Sequence, residues 1–191
     1  YRFDELDRVK LVLKADGTQR SVIFGDGLTV YRDELNKDTR ELRDDLGRIT
    51  RTEGPMAKAP GTFTYAPDGQ LETASYEVSP GVPKIARYQR DALGRLIQYE
   101  DASTGITRTL YDGFDEPRLI VDNAGRSTTI VHDELGRVTS RKDADGTHTF
   151  TWDTAANGLG RLAQSTSADG VVVSYGYDSL GRPESRTQTY L

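Results

Sequence analysis

A short turn signature recurs along this chain and limits what it can fold into. In its fullest form a ring is followed by Asp, a short spacer, Gly and Arg. From Leu42 onward the copies recur every ~19 to 25 residues, a period typical of one supersecondary unit. The copies are FDELDRV at Phe3, LRDDLGRI at Leu42, YAPDGQL at Tyr65, YQRDALGRL at Tyr88, YDGFDEPRL at Tyr111, HDELGRV at His132, WDTAANGLGRL at Trp152 and YDSLGRP at Tyr177.

A second set of glycine turns lies between these copies. Its members are ADGT at Ala15, STGI at Ser103, NAGR at Asn123, ADGT at Ala144 and ADGV at Ala168. In the segment Asp-x-x-Gly, the Asp carboxylate can accept the backbone N–H two residues on, and Gly takes the left-handed conformation that closes a hairpin. Turns about ten residues apart leave strands of about seven residues. The spacing therefore predicts an all-β fold of antiparallel β-hairpins.

The segments between the turns fit this interpretation. Large side chains stand at the ring and two positions before it, as in Tyr177 with Tyr175, which predicts a strand with two different faces. Residues 30–47, VYRDELNKDTRELRDDLG, are rich in helix formers. A hairpin is favoured there because NKD at Asn36 lies ten residues from both flanking turns. TEGPMAKAPG and SPGVPK are predicted to be longer loops.

Composition excludes several classes of function. Acidic and basic residues are mixed along the 191 residues with a net charge of −5, so there is little support for nucleic-acid binding. The chain has no cysteine, which excludes disulfides and thiolate metal sites. No apolar run approaches the ~20 residues of a membrane span, and the N-terminus lacks a signal-peptide core. Because the sequence begins inside a repeat, we expect it to be a piece of a longer protein.

The residues singled out by the repeat are interpreted as structural. His132 occupies a ring position, which favours packing over catalysis. KDADG at Lys142 lacks the later ligands of a calcium loop. We expect no catalytic residue, no cofactor and no metal ion. The structural repeat positions are Tyr88, Asp91, Gly94, Arg95, Tyr111, Asp112, His132, Asp133, Gly136, Arg137, Trp152, Asp153, Gly160, Arg161, Tyr177, Asp178, Gly181 and Arg182.

The arginine after each turn glycine is not required by the turn itself. We expect it to lie across the neighbouring hairpin, with its guanidinium paired to a turn Asp or stacked on a ring of an adjacent copy. Such contacts would fix the register between hairpins. The copy at Trp152 has a turn about three residues longer than the others, counted on the repeat unit. A protruding turn is expected at Asn157 and Gly158, as a candidate contact with another domain.

The quoted copies resemble the tyrosine-aspartate (YD) repeats of the Rhs family, which includes bacterial polymorphic toxins, the C component of Tc toxins and animal teneurins. The resemblance covers nearly the whole chain. It is looser over residues 1–85 and regular over 86–191, and the whole of 1–191 is expected to be one repeat segment. It implies hairpins paired side by side in one continuous, curved or spiralling sheet, which closes into a β-cage around a C-terminal toxin or cargo. The family's self-cleaving aspartyl motif is missing, since DEPRL at Asp115 is an ordinary turn variant.

The resemblance implies a structural shell segment without catalysis. Its expected partners are the remaining repeats and the toxin or cargo of the parent protein, and a secretion-apparatus or immunity protein. The resemblance also implies secretion or delivery to a target cell, by type VI secretion or Tc injection, or display at the cell surface. The alternative is a carbohydrate- or protein-binding adhesion module, in which rings such as Trp152 would stack on sugars. A hydrolase is the third and weakest hypothesis, because a periodic sequence spreads its polar groups apart.

Overall fold

The fold is all-β in a computed structural model that describes residues 1–55, 61–79 and 82–190. Within these residues eighteen strands belong to one sheet, and the strand pairs described are antiparallel. The predicted all-β class, built from antiparallel hairpin repeats in one sheet, is confirmed. Among the described residues no helix is long and apolar enough to cross a bilayer.

The chain divides into two compact units. The first comprises Tyr1–Gln89 and Glu100–Ser103, and the second Arg90–Tyr99 and Thr104–Leu191. The expectation of one segment over 1–191 stays a prediction. The strands are β1 (Arg2–Phe3), β2 (Val9–Leu13), β3 (Gln19–Phe24), β4 (Leu28–Arg32), β5 (Asp38–Arg43), β6 (Ile49–Glu53), β7 (Gly61–Tyr65), β8 (Leu71–Ser79), β9 (Val82–Arg90), β10 (Leu96–Asp101), β11 (Gly105–Tyr111), β12 (Pro117–Val121), β13 (Ser127–His132), β14 (Val138–Asp143), β15 (Gly146–Trp152), β16 (Leu162–Thr166), β17 (Val171–Tyr177) and β18 (Pro183–Tyr190).

Each strand returns beside the one before it, so alternate turns lie on the same edge of the sheet. In the second unit one edge carries turns 91–95, 112–116, 133–137, 153–161 and 178–182, and we call it the ladder edge. The first unit has a corresponding ladder edge with turns 4–8, 25–27, 44–48 and 66–70. The alternation of β13 and β15 is as predicted: Thr129 and Thr149 are exposed, and Ile130 and Phe150 are partly buried.

Turn 133–137 shows how the repeat closes its hairpins. The backbone N–H of Asp133 donates to the carbonyl of Arg137 at 2.9 Å, and the N–H of Gly136 donates to the carbonyl of Asp133 at 3.0 Å. The Asp133 carboxylate accepts the N–H of Leu135 at 2.9 Å and that of Arg137 at 3.0 Å. One side chain thus satisfies two backbone donors, which explains why Asp opens the turn.

Copies that lack the turn glycine keep the same backbone. Asp7, Asn36 and Asp115 stand at the glycine position and have φ of 57°, 59° and 67°, against 76° for Gly136. Asp and Asn are the side chains that best tolerate this left-handed region. The looser copies in the sequence are therefore regular in conformation.

The segment with helical composition is a hairpin, as predicted. β4 and β5 flank a turn in which the N–H of Asp33 donates to the carbonyl of Lys37 at 3.0 Å. The helix alternative for residues 30–47 is excluded. The loops predicted at TEGPMAKAPG and SPGVPK fall in part on residues 56–60, 80 and 81, which lie outside the described residues.

The sheet encloses little apolar volume. Among the described residues, the buried apolar side chains are Ala86, Ala163 and Val173, all of them small or β-branched. A single sheet layer with two partly wet faces cannot build a deep core. Strand pairing and contacts between successive turns must therefore supply much of the stability.

Backbone strain at the turn glycines can be tested with a matched pair of variants. Gly125 has φ of +77° and Gly113 lies outside the left-handed region, and a methyl group added at either meets no atom within 4 Å. We expect Gly125→Ala to lower the free energy of unfolding by roughly 1–2 kcal/mol, the cost of placing Ala in the left-handed region. Gly113→Ala should leave it within about 0.5 kcal/mol. Urea denaturation measures both, and equal losses would exclude strain as the cause.

Candidate functional site

The arginine at the end of five ladder-edge turns reaches the ring that opens the next turn on that edge. Arg137 lies over Trp152 with 5.1 Å between the guanidinium carbon and the ring centre. Cations attract the faces of aromatic rings in this geometry. The same contact recurs in five pairs: Arg8 with Phe24, Arg48 with Tyr65, Arg95 with Tyr111, Arg137 with Trp152, and Arg161 with Tyr177. We call this series the arginine–ring ladder.

In four of the five pairs, all except that of Phe24, the polar end of the ring forms a second contact between the same two turns. Trp152 donates its ring N–H to the carbonyl of Val138 at 2.9 Å, and Tyr177 donates its hydroxyl to the carbonyl of Leu162 at 2.7 Å. In the same way, the hydroxyl of Tyr65 donates to the carbonyl of Ile49 at 2.7 Å, and the hydroxyl of Tyr111 donates to the carbonyl of Leu96 at 3.1 Å. Each acceptor directly follows the arginine that covers the ring. The ladder is thus a repeated clamp that holds the ring at its face and at its edge.

The arginine also has a role within its own turn, which sequence reasoning missed. The guanidinium Nε of Arg137 donates to the second carboxylate oxygen of Asp133 at 2.8 Å. Arg48, Arg95 and Arg182 donate to Asp44, Asp91 and Asp178 in the same way, at 2.7 to 2.8 Å. The recurrence of Asp and Arg four positions apart around a tight turn was the available signal. The sequence-based expectation that the turn does not require this arginine stays a prediction, since turn 112–116 has Glu116 in its place.

Arg137 connects two turns through charge as well as stacking. Its two terminal nitrogens donate to both oxygens of Asp153 at 3.1 and 2.8 Å. The guanidinium of Arg137 and the backbone N–H of Gly160 lower the pKa of Asp153, and the carboxylates of Asp153 and Asp133 raise the pKa of Arg137. Planar, bidentate contacts of this kind need Arg rather than Lys.

Other copies carry parts of the clamp. Arg95 donates to Asp115 of the next turn at 2.7 Å. Arg161 stacks on Tyr177, and its guanidinium lies 3.4 Å from the position that a methyl group on Gly181 would take. Within the described residues Arg182 pairs with Asp178 of its own turn and its side chain is 71% exposed. Of the remaining predicted positions, Tyr88 lies in β9 just before the turn of Asp91 and Gly94.

One step of the ladder has different chemistry. Glu116 stands where other copies have the arginine, and His132 stands at the ring position of the next turn. The His132 Nδ1 lies 3.4 Å from a Glu116 carboxylate oxygen. The predicted ring position of His132 is therefore occupied, but by an acid–imidazole pair. The substitutions were visible in YDGFDEPRL and HDELGRV, and sequence reasoning treated them as ordinary variants.

The enlarged turn at residues 153–161 folds back toward its neighbour. Asn157 donates from its side chain to the carbonyl of Tyr177 at 3.4 Å, and Gly158 is buried against the Tyr177 ring and Ala155. A protruding turn was expected at Asn157 and Gly158; Asn157 is exposed, whereas Gly158 is buried. Leu159 is the outermost side chain of this turn, 86% exposed.

Comparison with known proteins places this geometry in a family. The model of the RHS repeat matches residues 111–148 and 157–190, which contain two complete steps, the acid–imidazole pair Glu116–His132 and the arginine–ring pair Arg161–Tyr177. These two ranges are Rhs repeats. Within these ranges the YD signature supplies the ring and the Asp that begin a ladder-edge turn, as in Tyr111-Asp112 and Tyr177-Asp178.

The relatives of this Rhs chain are much longer proteins. It is 29% identical over 238 aligned positions to double-stranded DNA deaminase toxin A of Burkholderia cenocepacia (strain H111), covering 99% of the chain and 16% of that protein. Among solved structures, that of TcdB2-TccC3-TEV superimposes with a TM-score of 0.80 at 18% identity, covering 99% of the chain and 11% of the other. The Tc holotoxin pore of Photorhabdus luminescens superimposes with a TM-score of 0.65 at 16% identity, covering 98% and 14%.

Hydrogen bonds of the ladder rings can be tested with two neighbouring tyrosines. Tyr177 donates its hydroxyl to a backbone carbonyl, whereas Tyr175, two positions earlier on the same strand, has no such bond among the contacts described. We expect Tyr177→Phe to lower the free energy of unfolding by about 1 kcal/mol, the usual net value of one hydrogen bond. Tyr175→Phe should change it by less than about 0.5 kcal/mol. Equal effects in urea denaturation would contradict a structural role for the Tyr177 hydroxyl.

Proposed function

We propose that this Rhs segment is part of the wall of a shell that encloses a toxin or other cargo, and that it has no catalytic activity of its own. The observation that carries the proposal is the arginine–ring ladder. In it, the rings, acids and arginines of the repeat make contacts between successive turns of the chain itself. Both the deaminase toxin and the TccC3-containing structures are much larger than this chain, which leaves room in such proteins for further repeats and cargo.

The orientation of the rings supports a wall rather than a sugar-binding surface. In Tyr111 and Tyr177 an arginine lies over the ring and the hydroxyl donates to a backbone carbonyl. A sugar-stacking platform needs a free ring face and polar groups directed outward. In Tyr111 and Tyr177 both the ring face and the hydroxyl make contacts within the sheet. The adhesion alternative therefore gains no support from these rings.

Exposed apolar side chains at the turn tips supply a surface for the rest of the parent protein. In the second unit the residue before each turn glycine, or its equivalent, is large and apolar: Leu93, Phe114, Leu135, Leu159 and Leu180, which are 72–87% exposed. Turns on one edge are two strands apart, roughly 10 Å by strand spacing. A row of exposed apolar side chains marks an interaction surface. We propose that further repeats of the parent protein, or its cargo, cover this row.

The proposal is tested on the full-length parent protein. A shell predicts a hollow particle in negative-stain micrographs and a C-terminal cargo that resists a protease which digests the same cargo expressed alone. Changing Leu93, Leu135 and Leu180 together to Glu should leave the segment's strand content unchanged by circular dichroism while exposing the cargo to protease. A solid or rod-shaped particle, or cargo cleaved equally in both contexts, would contradict the shell.

A further inference from the structure

The altered step of the ladder contains a cluster of metal-ligand side chains. Asp112, Glu116 and His132 each place one ligand atom so that the three atoms lie within 4.8 Å of one another. The His132 side chain is 10% exposed and that of Glu116 is 21% exposed. The cluster joins turn 112–116 to the end of β13, the same two places that an arginine and a ring join in five other steps.

The cluster lacks the positive charge that an arginine brings to the regular turns 44–48, 91–95 and 133–137. In the turns of Arg48, Arg95 and Arg137, the guanidinium binds the second oxygen of the opening Asp. In turn 112–116 the Asp112 carboxylate still accepts the backbone N–H of Phe114 at 2.8 Å and of Glu116 at 3.1 Å. The residue that should bring the guanidinium is Glu116, which brings a second carboxylate instead.

The two acids remain close without a fixed cation between them. The Glu116 carboxylate also lies close to the next turn, because a methyl group on Gly136 would come within 2.6 Å of its oxygen. Like charges this close are unfavourable unless a cation lies nearby.

The surroundings leave space for an ion and its water. A surface cleft of about 380 Å³ borders the cluster and is lined by Asp112, Glu116 and His132 together with Arg118, Asp133 and Glu134. Arg118 is the one basic side chain among these lining residues, against four acidic ones. The cleft is therefore accessible to a small cation and acidic on balance.

We propose that Asp112, Glu116 and His132 bind a divalent transition metal ion of the Zn²⁺ class, which replaces the missing guanidinium and ties the two turns together. One imidazole nitrogen and two carboxylate oxygens suit Zn²⁺, whereas Ca²⁺ and Mg²⁺ prefer all-oxygen sites. Zn–N and Zn–O bonds of about 2.0 Å require ligand atoms roughly 3.3 Å apart. Side-chain rotations that shorten the distances between the ligand atoms by up to about 1.5 Å would bring the three atoms to this separation. Water completes the tetrahedral coordination.

The experiment compares the only two histidines of the chain. Isothermal titration of the 191-residue chain with ZnCl₂ at pH 7.5 should show one binding site, and zinc should raise the melting temperature until a chelator is added. His132→Gln should weaken zinc binding by about tenfold or more. His148→Gln is the matched control and should bind as the parent chain does. Equal binding by the two variants, or no binding by the parent, overturns the proposal.

A second variant keeps the test independent of folding defects. Glu116→Arg combined with His132→Tyr restores the regular ladder step, so it should fold, lose the zinc effect and leave the melting temperature insensitive to chelator. Co²⁺ provides a direct readout, since its visible absorption should appear in the parent chain and vanish in this variant. Zinc could have no effect while stability rises below pH 7 in a way that depends on His132. In that case a proton on His132 alone replaces the missing positive charge, and the metal site is excluded.

Discussion

Trp152→Ala should destabilise the chain more than any other single change in the arginine–ring ladder. The ring is half-buried, lies beneath Arg137 and donates a hydrogen bond to Val138 at 2.9 Å. Truncation of a fully buried Trp costs about 3–5 kcal/mol, and half-burial reduces this to about 2–3 kcal/mol. Trp152→Phe retains the face and loses the hydrogen bond, so it should cost about 1 kcal/mol. Urea denaturation followed by circular dichroism measures both.

The partner residue tests whether the clamp acts as a unit. Arg137→Ala should lower the urea midpoint several times more than Arg182→Ala, because Arg137 holds two carboxylates and a ring while Arg182 pairs within its own turn. Arg137→Lys should recover little of the loss, because Lys lacks the planar fork. Combined with Trp152→Ala, Arg137→Ala should cost less than the sum of the single changes. Strict additivity would show that the two side chains contribute separately.

The strands and turns could be read from the sequence because each depends on adjacent residues. Asp and Gly fix a turn within five residues, so their spacing located turn 133–137 and the hairpin after Asp33 without tertiary information. Asp7, Asn36 and Asp115 preserve the turn because their short polar side chains tolerate the left-handed region. Local chemistry is therefore sufficient for the hairpin class and for most strand limits.

Contacts between turns were less predictable because they join residues about sixteen positions apart through an intervening hairpin. The general expectation that arginines reach a neighbouring copy followed from their repetition. That Arg137 binds its own Asp133 as well required the turn geometry, and the inward fold of residues 153–161 required the position of Tyr177. The pair Glu116 and His132 could be recognised as an altered step only by comparison with the regular steps of the arginine–ring ladder.

Acid should destabilise the chain steeply below about pH 4, because the turn aspartates act as a repeated set of charged acceptors. Guanidinium and backbone N–H donors lower the pKa of Asp44, Asp91, Asp122 and Asp133 below the ordinary value of 3.8. Lys14 and Arg20 lower the pKa of Glu34 to about 2. A carboxyl group whose pKa is lower in the folded chain contributes stability that is fully present above the unfolded pKa. That contribution is lost as the pH falls through the folded pKa.

The urea midpoint should therefore be highest above pH 5 and should fall with increasing slope between pH 4 and pH 2, since several carboxylates take up protons on unfolding over the same range. Asp133→Asn should lower the midpoint at pH 7 and reduce the slope below pH 4. Asp45→Asn, in a turn where the carboxylate of Asp44 makes the contacts, is the matched control and should leave both nearly unchanged. Because high salt screens the arginine pairs but not the backbone bonds, 1 M NaCl should remove only part of the slope. A midpoint that does not vary between pH 5 and pH 2 would mean that strand pairing alone holds the hairpins together. The repeated spacing of Asp and Arg in the turns would then contribute nothing to the stability of the folded state.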